Sequence, residues 1–306
     1  MEAIRFTPLY KTRVWGGRGL EQTYGRRLPD DAPYGESWEI VDRPDDQSVV
    51  AEGPLAGRTL HDLWTSRREE IFGAGLPDAE RFPLLVKVLD ARDDLSIQVH
   101  PPAEIAPALG GEPKTEMWYI ADAEPGAKLY VGLKAGVTRE EFESALGRGT
   151  AAEAVHALEP RAGESIFIES GRLHAIGAGL LIHEIQQNSD TTYRVFDWNR
   201  VGLDGQPRDL HVEESLRSID FNDYEPEMDA PRDGVLADCA HFRVEKLELR
   251  VGETFGNPDV GRFAIYSVAE GRVDGGFGKG DFFLLPCGAD DLVAAEDSVV
   301  LRTTIP

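Results

Sequence analysis

A chain of 306 residues with 55 acidic and 32 basic side chains carries a net charge of −23 and is long enough to bury a large core. That charge repels the phosphates of nucleic acid and of anionic lipid, and no run of about eighteen apolar residues could cross a bilayer, so neither partner is expected. The opening, Met1-Glu-Ala-Ile-Arg5, lacks the basic and apolar stretches of a secretory signal, and a cytoplasmic protein is the expectation.

In chain order, apolar residues from Leu60 to Phe72 fall at helical spacing. Strand-like runs then dominate: Pro83 to Leu89, Leu95 to His100, Met117 to Ile120, Lys128 to Val131. Thr138 to Leu146 reads as a capped helix, with Thr138 as N-cap, Glu141 three residues on, and Gly147 at its end. Two more strands follow at Ser165 to Ile168 and Leu180 to Gln186. From Asp220 to Arg232, Asp, Glu and Pro crowd together without periodicity, as in a linker. Beyond it, Phe242 to Leu249, Phe263 to Val268, Gly280 to Pro286 and Ser298 to Leu301 are strands of a smaller tail. Many short strands with Gly, Pro and Asp between them predict a mainly β barrel or sandwich.

Polar side chains interrupt the apolar pattern at four places. Gln98 and His100 are two apart in Ser96-Ile-Gln-Val-His-Pro101, so on a strand they share one face. Lys114 and Glu116 share a face in Lys114-Thr-Glu-Met-Trp-Tyr119, and His174 follows the turn at Ser170-Gly171. The stretch Glu184 to Trp198 is dense in amide, acid and guanidinium groups. Cys239 and Cys287 form no CxxC pair, so a metal here needs His, carboxylate or amide ligands. Two imidazoles and a carboxylate are a common set for a catalytic zinc, and Gln98 can add a neutral oxygen.

The strings Gln98-Val-His-Pro101, Lys114-Thr-Glu-Met-Trp-Tyr119, Ser170-Gly-Arg-Leu-His-Ala-Ile-Gly177 and Glu184-Ile-Gln-Gln-Asn-Ser-Asp-Thr-Thr-Tyr-Arg-Val-Phe-Asp-Trp198 resemble the short bacterial class of type I mannose-6-phosphate isomerases. Val14-Trp-Gly-Gly17 and Gly35-Glu-Ser-Trp-Glu39 match as well, and the likeness runs from about Phe6 to Asp220. Pro102-Ala-Glu104, after the first string, departs from the acidic or polar residues usual there.

The resemblance implies a cupin-like (double-stranded β-helix, or jelly-roll) barrel with helical insertions over 1–220, and a smaller β domain over 233–306. It implies one Zn2+ per chain on Gln98, His100, Glu116 and His174, with Arg194 and Asp190 catalytic. Lys114 and Lys134 are the candidates for substrate phosphate or hydroxyl contacts, and the substrate implied is a small sugar phosphate. Asp190, Glu184 and a metal-bound hydroxide all stay open as the base. Asp197 is expected to be a structural partner of an arginine. Two other readings compete: an iron-dependent cupin oxygenase on the same ligands, and a barrel that binds sugar phosphate without turnover.

Overall fold

A computed structural model describes residues 1–306 as three stacked antiparallel sheets with two small two-stranded ones. The middle sheet has six strands, in the order Ser165–Ile168, Glu116–Ala123, Leu180–Gln187, Leu84–Ala91, Tyr34–Ile40, Leu9–Gly17. On one side lies a five-stranded sheet, in the order Tyr193–Phe196, Ile97–Val99, His174–Ile176, Leu129–Leu133, Val155–Leu158. Leu89, Trp118 and Ile182 of the middle sheet pack against Leu129, Val131 and Ile176 of that sheet, closing the expected cupin-like barrel.

The third sheet has seven strands and covers the other face of the middle one. Val86, Val88, Met117, Leu181 and Ile185 meet Leu236, Ile265 and Leu284 in the largest core cluster. A sheet covered on both faces has no solvent side, which is why Leu84–Ala91 is buried at every position. Charged residues on such a strand must therefore find partners inside the protein.

Five strands of the seven-stranded sheet come from the segment expected to form the second domain. The other two, Ile4–Thr7 and Val49–Val50, come from the start of the chain, and Ile4 pairs with Leu284. Residues 220–232 contain no helix or strand, as expected of a linker, but they are tied to the barrel. Arg172 grips Asp223 with a two-pronged contact at 2.8 and 3.0 Å, and the Asp229 N–H donates to the Ser165 carbonyl at 2.9 Å.

The capped helix forms as read, over Arg139–Gly147, with Thr138 and Glu141 capping each other's backbone N–H. The Leu60 to Phe72 pattern resolves into two helices, Leu60–Ser66 and Arg68–Ile71, broken at Arg67. Thr65 and Ser66 turn their hydroxyls back onto the carbonyls of His61 and Asp62, which loosens the helix where it stops. No helix is long and apolar enough to cross a membrane.

One buried histidine ties the middle sheet to its seven-stranded cover. His183 is fully buried against Phe282, and its Nε2 pairs with the Tyr24 hydroxyl at 2.7 Å. Burial, helped by the nearby charges of Arg26 and Lys279, pushes its pKa from 6.5 down to about 3. Above pH 6.5 neither the folded nor the unfolded chain holds this proton. Between 6.5 and about 3 only the unfolded chain takes it, so stability present above 6.5 is lost as the pH falls. His183→Gln, which keeps a partner for Tyr24 and cannot titrate, should lose less thermal midpoint than the wild type between about pH 7.5 and about pH 5. Equal losses in the two proteins would show that His183 does not contribute.

Candidate metal centre

The barrel interior between the five- and six-stranded sheets holds a buried polar cluster. His100 follows the Ile97–Val99 strand, His174 opens His174–Ile176, and both belong to the five-stranded side. Glu116 opens Glu116–Ala123 on the six-stranded side, so the three meet across the lumen. All three are wholly buried, and their candidate ligand atoms lie within 4.8 Å of one another.

The two imidazoles are oriented from behind. His100 Nδ1 lies 2.8 Å from the Thr191 carbonyl, and His174 Nδ1 lies 2.8 Å from the Arg172 carbonyl. A carbonyl can only accept, so each Nδ1 carries the proton and each Nε2 is left with a lone pair. Both Nε2 atoms stand 3.6 Å from Glu116, one on each carboxylate oxygen. Nε2 of His100 and Oε1 of Glu116 have no hydrogen-bond partner in the protein. Buried acceptors aimed at a common point, with nothing to donate to them, fit a divalent cation.

Gln98 completes the group. Its Nε2 is 3.3 Å from His174 Nε2 and its Oε1 is 3.3 Å from the Ser96 hydroxyl. A half-turn of the amide exchanges the two atoms, presenting oxygen to the cluster and donors to Ser96. The electrostatics agree with a cation site. Burial pushes His100 down to about 3 and Lys114 pushes the same way, so the ring is a neutral ligand. Burial opposes the Glu116 charge, but the Lys114 ammonium outweighs it and holds the carboxyl well below its usual range.

Of the residues expected at the site, the structure brings together Gln98, His100, Lys114, Glu116 and His174. Lys114 is buried, with its ammonium 2.7 Å from Glu116 and 3.5 Å from Glu184. Arg194 stands one step away: its Nε donates to Ser96, the serine beside Gln98, at 3.2 Å, and its Nη1 donates to the Asp209 carbonyl at 2.9 Å. Asp190 is exposed on the turn before Thr191. Lys134 is exposed at the end of Leu129–Leu133, and no hydrogen bond or ion pair joins its side chain to the cluster. Asp197 does partner arginines, pairing with Arg200 at 3.1 Å and Arg208 at 2.5 Å.

Sequence reasoning missed Lys87, which is buried 3.5 Å from Glu184. Its signal was a lone ammonium inside the apolar run Leu84-Leu-Val-Lys-Val-Leu89. Ser96, linking Arg194 to Gln98, had no such signal. Arg200 and Arg208 gather close to Arg194 in a strongly acidic protein. Burial, followed by Arg208, pushes the Arg194 guanidinium below its usual value, a cost that a bound anion would relieve.

Residues 3–125 match the family described as phosphomannose isomerase type I, catalytic domain. Over 303 residues the chain is 37% identical to a mannose-6-phosphate isomerase of Bacillus subtilis, covering 94% of both. It is 40% identical over 205 residues to the mannose-6-phosphate isomerase of Streptococcus mutans, covering 67% of this chain and 63% of that one. The crystal structure of the mannose 6-phosphate isomerase from Bacillus subtilis superposes over 100% of both chains, with a TM-score of 0.88 at 32% identity.

Proposed function

The chain belongs to the type I phosphomannose isomerases, and from that membership we propose that it interconverts mannose 6-phosphate and fructose 6-phosphate with one zinc ion per chain, held by Gln98, His100, Glu116 and His174. The observation that carries the metal assignment is the pair of backbone-anchored imidazoles whose free Nε2 atoms converge on a buried carboxylate. When bound there, zinc supplies a Lewis acid that polarises the sugar's carbonyl and adjacent hydroxyl oxygens.

The chain's own groups supply the rest. The reaction takes the proton from C2 of the aldose, forms a C1–C2 double bond while O1 gains a proton, and then moves the O2 proton away as a proton returns to C1. Glu184 suits the carbon-bound proton better than Asp190 does. It is buried beside the cluster, and burial, then Glu116, raises its pKa above the usual carboxyl range. Lys87 and Lys114 hold the same oxygen, Oε1, each at 3.5 Å, and Trp118 Nε1 donates to the other at 3.1 Å. Arg194 keeps Nη2 free of protein partners and could meet negative charge growing on the sugar oxygens. Arg200 and Arg208, with Lys134 farther out, are the cations proposed to draw in the phosphate.

Every residue assigned here lies within 1–220, and that part is proposed as the catalytic domain with 233–306 as its cover. A cytoplasmic setting suits the two free cysteines, Cys239 and Cys287. The relatives matched are isomerases, which favours this reading over the iron oxygenase and the non-catalytic binder.

The test is a coupled assay of mannose 6-phosphate conversion by metal-stripped protein, with and without added zinc. Stripped protein should be silent, and zinc should restore turnover. Full activity without metal would remove the ion from the reaction. Folded protein that binds the sugar phosphate and turns nothing over with any divalent metal would make it a binding module.

A further inference from the structure

Charged side chains of alternating sign cross the middle sheet toward the metal centre, roughly one per strand. Arg13 sits on Leu9–Gly17, Glu36 on Tyr34–Ile40, Lys87 on Leu84–Ala91 and Glu184 on Leu180–Gln187; Lys114 and Glu116 end the row. Lys87 lies directly between Trp38 and Glu184 in strand register, and its ammonium faces two carboxylates. It stands 3.5 Å from Glu184 and 4.0 Å from Glu36.

What decides between two identical groups is how far each is already satisfied. Glu36 accepts the Arg13 guanidinium on both oxygens, at 2.9 and 3.1 Å, and the Trp38 indole N–H at 2.6 Å. Three directed donors, one of them a fork, meet most of its need. Glu184 has a single directed N–H, from Trp118, and depends on ammonium groups for the rest. The backbone is shaped for the Arg13 contact. A Cβ on Gly35 would come within 2.7 Å of Arg13 Cβ and 2.9 Å of its Cγ, so a glycine there lets the arginine stem lie across the neighbouring strand.

We propose that Arg13 is a positioning residue for the isomerase: by occupying Glu36 it leaves Lys87 to Glu184. This rests on the assignment of Glu184 to the carbon-bound proton. Without Arg13, Glu36 is a buried carboxylate short of one cation, and Lys87 is the nearest to answer it. Glu184 then loses one of the two ammonium groups that hold it in place. Arg13 touches neither the cluster nor any proposed substrate group, and its side chain is about a third exposed, so replacing it opens no cavity in the core.

The test is a cycle of variants assayed with metal content and thermal midpoint measured alongside. Arg13→Met keeps the stem and loses the charge; it should bind metal as the wild type does, hold KM within about twofold and lose roughly tenfold in kcat. Adding Glu36→Gln removes the competing charge and should restore kcat to within about threefold of the wild type, although it deletes one more interaction. Arg13→Lys, which keeps a charge without the fork, should fall between Arg13→Met and the wild type. A wild-type kcat in Arg13→Met, or a double variant no faster than the single one, would overturn the proposal; the second result would mark Arg13 as merely structural. Glu184→Gln separates the two readings. Turnover surviving in it removes Glu184 as the base, whereas an inactive Glu184→Gln beside an unaffected Arg13→Met overturns only the role of Arg13.

Discussion

His174→Ala is expected to lose its bound metal on gel filtration and to lose at least about a thousandfold in turnover, while its circular dichroism stays that of the folded protein. The size of the effect follows from the ligand count. His174 is one of the two neutral nitrogen ligands proposed, and its Nε2 and that of His100 sit on the two oxygens of one carboxylate. Without it, Glu116 and His100 cannot close a site whose remaining ligand is an amide. Folding should survive, because the barrel is held by the apolar contacts of Ile120, Leu129 and Ile182, and Trp118 loses only its edge contact with the imidazole. Metal content from elemental analysis decides the matter. A variant that keeps a full equivalent of metal would remove His174 from the ligand set.

Arg194→Ala should behave oppositely, keeping its metal and losing roughly a hundredfold to a thousandfold in kcat, as when a preorganised donor to developing charge is deleted. Its guanidinium is braced by Ser96 on one side and the Asp209 carbonyl on the other, so the free Nη2 is held in place before the substrate arrives. Loss in KM with kcat unchanged would reassign Arg194 to binding alone, and near-normal kinetics would end its assigned role. Arg194→Lys should recover little, since a point charge on a flexible stem cannot hold both braces and still face the substrate.

Much of the barrel was legible because its strands announce themselves. Ser165–Ile168 was read at its full length, and Leu180–Gln187 fell one residue short. The neighbouring strands Leu9–Gly17 and Tyr34–Ile40 were not, since Gly, Arg and Glu break up their apolar pattern. Those interruptions are Arg13, Gly35 and Glu36, the groups that make up the buried charge row. The metal cluster was legible for a related reason: a strand that carries Gln98 or Glu116 where an apolar side chain belongs must have something inside to meet them. What could not be read was distance. Asp190 lies four residues from Arg194 in sequence and is exposed in space, as is Lys134, whereas Lys87 and Ser96 are remote in sequence from Glu184 and Arg194 and touch them.

The pairing of Ile4 with Leu284 sets a timetable for synthesis. A ribosome delivers Ile4–Thr7 long before Phe282–Leu285, so the nascent chain carries an unmatched strand edge while the residues between them are made. The barrel can close as soon as Phe196 has emerged, but its third layer cannot form until the strands after Val235 have followed. Until then Val86, Val88, Leu181 and Ile185 lack the cover of Leu236, Ile265 and Leu284, and the growing protein is a natural client for a chaperone that shields one greasy face.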